Sequence, residues 1–122
     1  MQIRKEQMDA FEDKERKAFE EEMIPHVRKV FPNEFRDMGE AQVRELVRAG
    51  FDKTTEYEIV TKRDRAGYID LMFVLGRDFD TDKPWAQEIL RETDLAPCDR
   101  LDQVRYKAGE EKLAEKRRPE IR

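Results

Sequence analysis

The pattern of hydrophobic and polar positions is centred on residues 66–90. This segment contains the longest apolar run of the chain, at 68–75, which Asp70 alone interrupts, and the single tryptophan, Trp85. A run of this length fits either a buried strand or a buried helix, and periodicity alone does not separate the two. The choice between strand and helix therefore depends on the residues that flank the run.

The flanking residues favour a helix. Thr61 and Asp64 form a capping pair, which supplies a hydroxyl for the exposed amides and an acid in the first turn. Gly76 suits the left-handed position that often follows the end of a helix. We therefore predict a helix at 62–75, apolar on most sides in its second half, which is typical of the central helix of a bundle.

The segment that follows this helix predicts a tight turn into a second packed helix. Thr81 or Asp82 can cap that helix, and Pro84 suits its first turn. Phe79 would fill the space inside the turn. The predicted core residues of the whole segment are Tyr68, Leu71, Met72, Leu75, Phe79 and Trp85.

The N-terminal pattern predicts a long amphipathic helix at 3–22. Pro25 should end or kink it, and a short second segment should reach Pro32. Its apolar stripe consists of Met8, Phe11, Ala18, Phe19 and Met23. This stripe either packs on the core of the same domain or forms a face for a partner or a second copy, and the pattern is too short to indicate a sustained coiled coil.

Two more helices complete the pattern. One is predicted at 40–49, with Gly50 as its stop, and is followed by an irregular stretch with a short helix at 54–58. The other should begin at Asp99 and be interrupted at Gly109. Its apolar face is formed by Leu101, Val104, Ala108 and Leu113. We predict an all-α, single-domain bundle of about five helices over 1–122, with 114–122 as a frayed basic tail.

Composition excludes several classes of protein. Charged residues make up 44% of the chain, but eleven aromatic residues and clear apolar stripes argue against disorder. The net charge of −4 gives nucleic acid no general electrostatic reason to bind. The sequence has no run of membrane-spanning length and no signal-peptide pattern, and the lone Cys98 excludes an internal disulfide. We therefore expect a cytoplasmic protein.

The residues give little support to catalysis. The chain has no serine, one histidine and one cysteine, so a Ser-His-Asp triad is impossible. His26 lies one helical turn after Glu22 and could meet it, but further metal ligands cannot be placed. Cys98 lies near the start of the last helix, where a thiol pKa can fall, yet it has no second cysteine. We expect no enzyme activity, no cofactor and no metal.

Three alternating acids resemble the start of a calcium loop. Asp78, Asp80 and Asp82 have the required spacing, but Lys83 stands where the loop needs a glycine and Ile89 where it needs an acid. The acids are better explained as complementing the dipole of the next helix and pairing with a neighbouring arginine.

A longer pattern resembles a set of short uncharacterised bacterial proteins encoded beside type VI secretion spike and effector genes. The resemblance covers roughly residues 51–101, and its sharpest part is the sequence Gly-x-x-Phe-Asp followed by Pro-Trp-Ala. It depends on Tyr57, Glu58, Ile59, Tyr68, Ile69, Asp70, Leu71, Met72, Gly76, Phe79, Asp80, Pro84, Trp85, Ala86, Ile89, Leu90, Arg100 and Leu101. The stretch at 53–57 departs from the pattern, because the family has a more apolar helix there.

The resemblance implies an accessory role and no reaction. An adaptor, an effector chaperone or an immunity protein would bind another protein, such as a secreted effector or a spike component. Arg77, Asp78 and Asp80 are the predicted interaction residues. The alternative is a small DNA-binding regulator that uses the last helix and its basic tail, and a homodimer through the first helix stays open.

Overall fold

The computed structural model describes the backbone of residues 5–117 and the side chains of residues 13–114. Within these residues the chain forms seven helices and no strand, which confirms the all-α prediction. The helices are α1 (Lys5–Val30), α2 (Pro32–Met38), α3 (Glu40–Glu56), α4 (Lys62–Leu75), α5 (Phe79–Asp82), α6 (Pro84–Leu90) and α7 (Pro97–Arg117). The structure has more helices than the predicted number of about five, because the connections before α3 and before α6 are themselves short helices. The predicted roles of Met8 and Phe11, and of the tail beyond Arg117, lie outside the described residues.

The central helix has the predicted bounds. The side chain of Thr61 caps the first turn: its Oγ1 accepts a hydrogen bond from the amide of Asp64 at 3.2 Å. Gly76 ends the helix with a positive φ of 112°. Helix α4 packs against α1, α3 and α7, so local capping and the apolar run together place it at the centre of the bundle.

The contacts define the directions of the neighbouring helices. Phe19 of α1 packs on Phe51 near the end of α3, with ring centroids 5.6 Å apart, so these two helices are antiparallel. The Arg28 guanidinium lies 3.3 Å from Glu40 at the other end of the same pair. Helix α4 runs antiparallel to α3 and in the same sense as α7, because α4 packs its successive turns against successive turns of α7.

Pro25 does not end the first helix. It lies inside α1, on the exposed side, and the helix continues to Val30. The neighbours Met23, Ile24 and Val27 are buried in the core, and this burial offsets the hydrogen bond that a proline cannot donate. The stripe therefore packs on the core of its own domain at Phe19 and Met23, whereas Ala18 is exposed.

Gly50 does not end the third helix either. It is buried in the middle of α3, and a Cβ at this position would lie 2.5 Å from Ile69 Cγ1 and 3.0 Å from Met72 Sδ of α4. The missing side chain lets α3 and α4 approach closely, which offsets the roughly 1 kcal/mol that glycine costs inside a helix. The helix ends instead at Glu56, and Glu58 takes a left-handed conformation with φ 61°.

The connection to the sixth helix differs from the predicted capping. Thr81 and Asp82 lie within α5, and α6 begins after Lys83 without a side-chain cap. Pro84 occupies the first turn of α6, as expected from its fixed φ. Phe79 is fully buried and packs on Tyr68, with ring centroids 5.0 Å apart.

The six predicted core residues all lie in or against the core, but to different depths. Tyr68, Leu71, Met72 and Phe79 are buried, whereas Leu75 and Trp85 are half-buried and pack against the core from its edge. The Trp85 indole donates from Nε1 to Glu111 Oε1 at 2.7 Å and so fastens α6 to α7. This hydrogen bond lowers the pKa of Glu111.

The last helix is longer than predicted. It begins at Pro97 and passes through Gly109 without a break. Leu101, Val104 and Ala108 are buried as expected, but Leu113 is 52% exposed. The apolar residues keep their helical spacing as far as Leu113. The neighbouring helices that cover the earlier turns of α7 do not extend that far.

Candidate interaction surface

The predicted interaction residues do not share one surface. Arg77 and Asp78 are exposed in the turn between α4 and α5, and Arg77 lies 3.8 Å from Glu45 of α3. Asp80 is completely buried, so it is not part of an exposed binding surface. The short helix α5 turns this side chain inwards, which alternating acids in the sequence do not reveal.

Two residues of the end of α3 hold Asp80. The Tyr57 hydroxyl donates to Asp80 Oδ2 at 2.6 Å, and Lys53 Nζ lies 3.0 Å from the same oxygen. Burial, with the hydrogen bond to Asp80, raises the pKa of Tyr57 to about 12. The hydrogen bond to Asp80 also raises the pKa of Lys53. The partner is thus a lysine from α3 instead of a neighbouring arginine, and the cluster fastens α3 to α5.

Tyr68 lies beside this cluster. Its ring is fully buried between Tyr57 and Phe79, and its hydroxyl has no hydrogen-bond partner among the described residues. Burial, with the nearby charge of Asp80, raises the pKa of Tyr68. The hydroxyl is protonated at neutral pH, as in any ordinary tyrosine, and the ring is part of the aromatic core.

Arg65 is a buried cation that sequence reasoning missed. Its NH1 donates to the Phe51 carbonyl at 3.0 Å and to the hydroxyls of Thr54 and Thr55 at 3.1 and 2.9 Å. Its guanidinium stacks on the Phe51 ring at 3.8 Å. Burial lowers the pKa of Arg65, although an arginine stays charged at any ordinary pH. Its contacts lie in the last two turns of α3, near the end where the helix dipole favours a cation.

Arg100 has a similar role and was missed as well. Its NH1 donates to the carbonyls of Tyr57 and Leu90 at 2.8 and 2.7 Å. The three segments that follow α3, end α6 and begin α7 therefore meet at one guanidinium. No spacing rule identifies a buried arginine in a chain this rich in exposed charge. Arg100 does belong to the resembling pattern, which assigns it no role.

The remaining candidate residues form simple pairs. His26 Nε2 lies 2.9 Å from Asp70 Oδ1, whereas Glu22, its predicted partner, pairs with Lys62 at 3.0 Å. Cys98 is exposed in the first turn of α7. Among the described residues, no group of three or more His, Cys, Asp or Glu side chains could hold a metal ion. None of the described helices is long and apolar enough to cross a membrane.

An apolar groove lies between the second halves of α4 and α7. It encloses about 330 Å³ and is lined by apolar side chains of both helices. Val74 stands on the α4 side and exposes 52% of its surface. On the α7 side the floor consists of Ala108 and Gly109, whose small size leaves the groove open.

A second depression of about 650 Å³ continues from the first along α7. Both are lined by Arg105 and Gly109, so the two depressions adjoin on α7. Tyr106 and Leu113 stand on its outer side and are 70% and 52% exposed. We call the joint surface the α4–α7 groove and define it by Val74, Leu75, Tyr106, Ala108, Gly109 and Leu113.

Charged residues border the groove. Arg105 and Lys112 line the first depression beside its floor, and Glu110 lines the second. Asp70 also borders the first depression, but its carboxylate is engaged by His26 of α1. The groove itself was missed because the helical spacing had assigned Leu113 to the core. Tyr106, outside the assigned apolar face, was the one available signal.

The fold defines the class of protein as a small helical bundle. No protein-family model, curated protein or solved structure matches the chain. Val74, Tyr106 and Leu113, which border the α4–α7 groove, are three of the five exposed large apolar side chains among the described residues.

Proposed function

We propose that the protein is a non-enzymatic, cytoplasmic protein-binding module and that the α4–α7 groove is its binding surface. The observation that carries the proposal is the exposure of Val74 at one depression, and of Tyr106 and Leu113 at the adjoining depression on α7. Most of the exposed surface is charged, and grouped exposed apolar side chains in such a protein mark interaction sites more often than chance. Burial of these side chains by a partner would supply the association energy.

The finer role rests on the sequence pattern alone. The resemblance around Phe79 and Trp85 supports an accessory protein of a type VI secretion effector locus: an adaptor, a chaperone or an immunity protein. In each of these roles the partner is a secreted effector or a spike component. Both aromatic residues lie in or against the core, so the resembling segment would maintain the fold while the groove binds the partner.

The test is a pull-down of the tagged protein from its native cell, with mass spectrometry of the proteins that co-purify. Leu113→Glu places a charge in the groove, whereas Val60→Glu places the same charge on an exposed valine of the α3–α4 connection. We expect a stoichiometric effector or spike component with the wild type and with Val60→Glu, and its loss with Leu113→Glu. Equal recovery with all three proteins, or no partner with any, would contradict the proposal.

A DNA-binding regulator is the competing function. The described part of α7 exposes Arg105, Lys107 and Lys112, but it also exposes Asp102 and Glu110 beside them. Alternating signs weaken the attraction of a helix to phosphates. Salt-dependent retardation of duplex DNA, lost on truncation after Leu113, would favour this alternative over protein binding.

A further inference from the structure

We draw no further inference here: the strongest candidate, the apolar α4–α7 groove, carries none, because Arg105 at its border is already paired with Asp102 at 2.8 Å, Asp70 and Glu110 lie on the same surface, and nothing in the structure shows what covers it.

Discussion

The two sides of α4 differ in how closely their neighbours approach. Against α3 the interface is closed, because Gly50 admits Ile69 to a distance that a Cβ would not allow. Against the second half of α7 the surface stays open, with Val74 exposed and free space at Gly109. The same residue type thus permits tight packing on one side and a groove on the other. The contrast separates the part of the chain that stabilises the fold from the part for which we propose a binding role.

The largest effect on stability is expected from a substitution on the closed side of α4, compared with one on its open side. Ile69→Ala removes a fully buried side chain from the closed side and should lower the free energy of unfolding by about 3 kcal/mol. Val74→Ala removes a half-exposed side chain from the open side and should change it by about 0.5 kcal/mol or less. Chemical denaturation measures both values, and equal losses would remove the distinction between the two sides.

Alkaline pH should destabilise the fold through Tyr57, which packs against α4 on the closed side. The pKa of Tyr57 rises from about 10 to about 12 in the folded protein, so folding favours the neutral phenol. The contribution of Tyr57 to the free energy of unfolding is complete below pH 10. As the pH rises towards 12, the free energy of unfolding should fall by about 2 kcal/mol.

Tyr57→Phe provides the control for this pH dependence. The substitution removes the ionisable group while the ring keeps its place beside Tyr68. Denaturation curves between pH 8 and pH 12 should therefore fall less steeply for Tyr57→Phe than for the wild type. Parallel curves would show that the Tyr57–Asp80 hydrogen bond does not link stability to pH.

Gly50→Ala is expected to have an intermediate effect. The added methyl group would press on Ile69 and Met72, and overpacking of this kind costs about 1–3 kcal/mol before the gain in helix propensity. The melting temperature should fall, measured by circular dichroism. A rise would mean that α3 and α4 can move apart without loss.

Leu113→Glu should have the smallest effect on stability. The side chain is half-exposed and lies on the open side, so we expect a change of about 0.5 kcal/mol or less in the free energy of unfolding. Such a result makes the variant a clean probe of binding, because a lost interaction could not then be attributed to unfolding. A loss similar to that of Ile69→Ala would move Leu113 into the core.

Local signals predicted the central helix well. The cap formed by Thr61 and Asp64, and the glycine at Gly76, act within one or two turns, so no knowledge of the neighbours is needed. Tyr68 and Phe79 are predicted core residues because both are large apolar side chains, the first within the apolar run and the second directly after it. The all-α class followed from the same periodicity.

Other features depend on the tertiary structure and could not be read locally. Pro25 and Gly50 usually end helices, but burial of their neighbours and the close approach of α4 override that tendency here. Asp80 and Arg65 are charged residues that the sequence alone would expose, and their partners come from distant segments. The open side of α4 was likewise invisible, since spacing shows which residues share a face and not whether a neighbour covers it.

The most direct test of the account is Gly109→Leu, measured for both unfolding and partner binding. A leucine suits a helix better than glycine and meets free space here, so we expect the free energy of unfolding to rise by about 0.5–1 kcal/mol. The same side chain fills the groove, so the affinity for the partner that co-purifies in the pull-down should fall. A less stable protein, or one that binds its partner as well as the wild type does, would contradict the claim that the groove is kept open for an occupant.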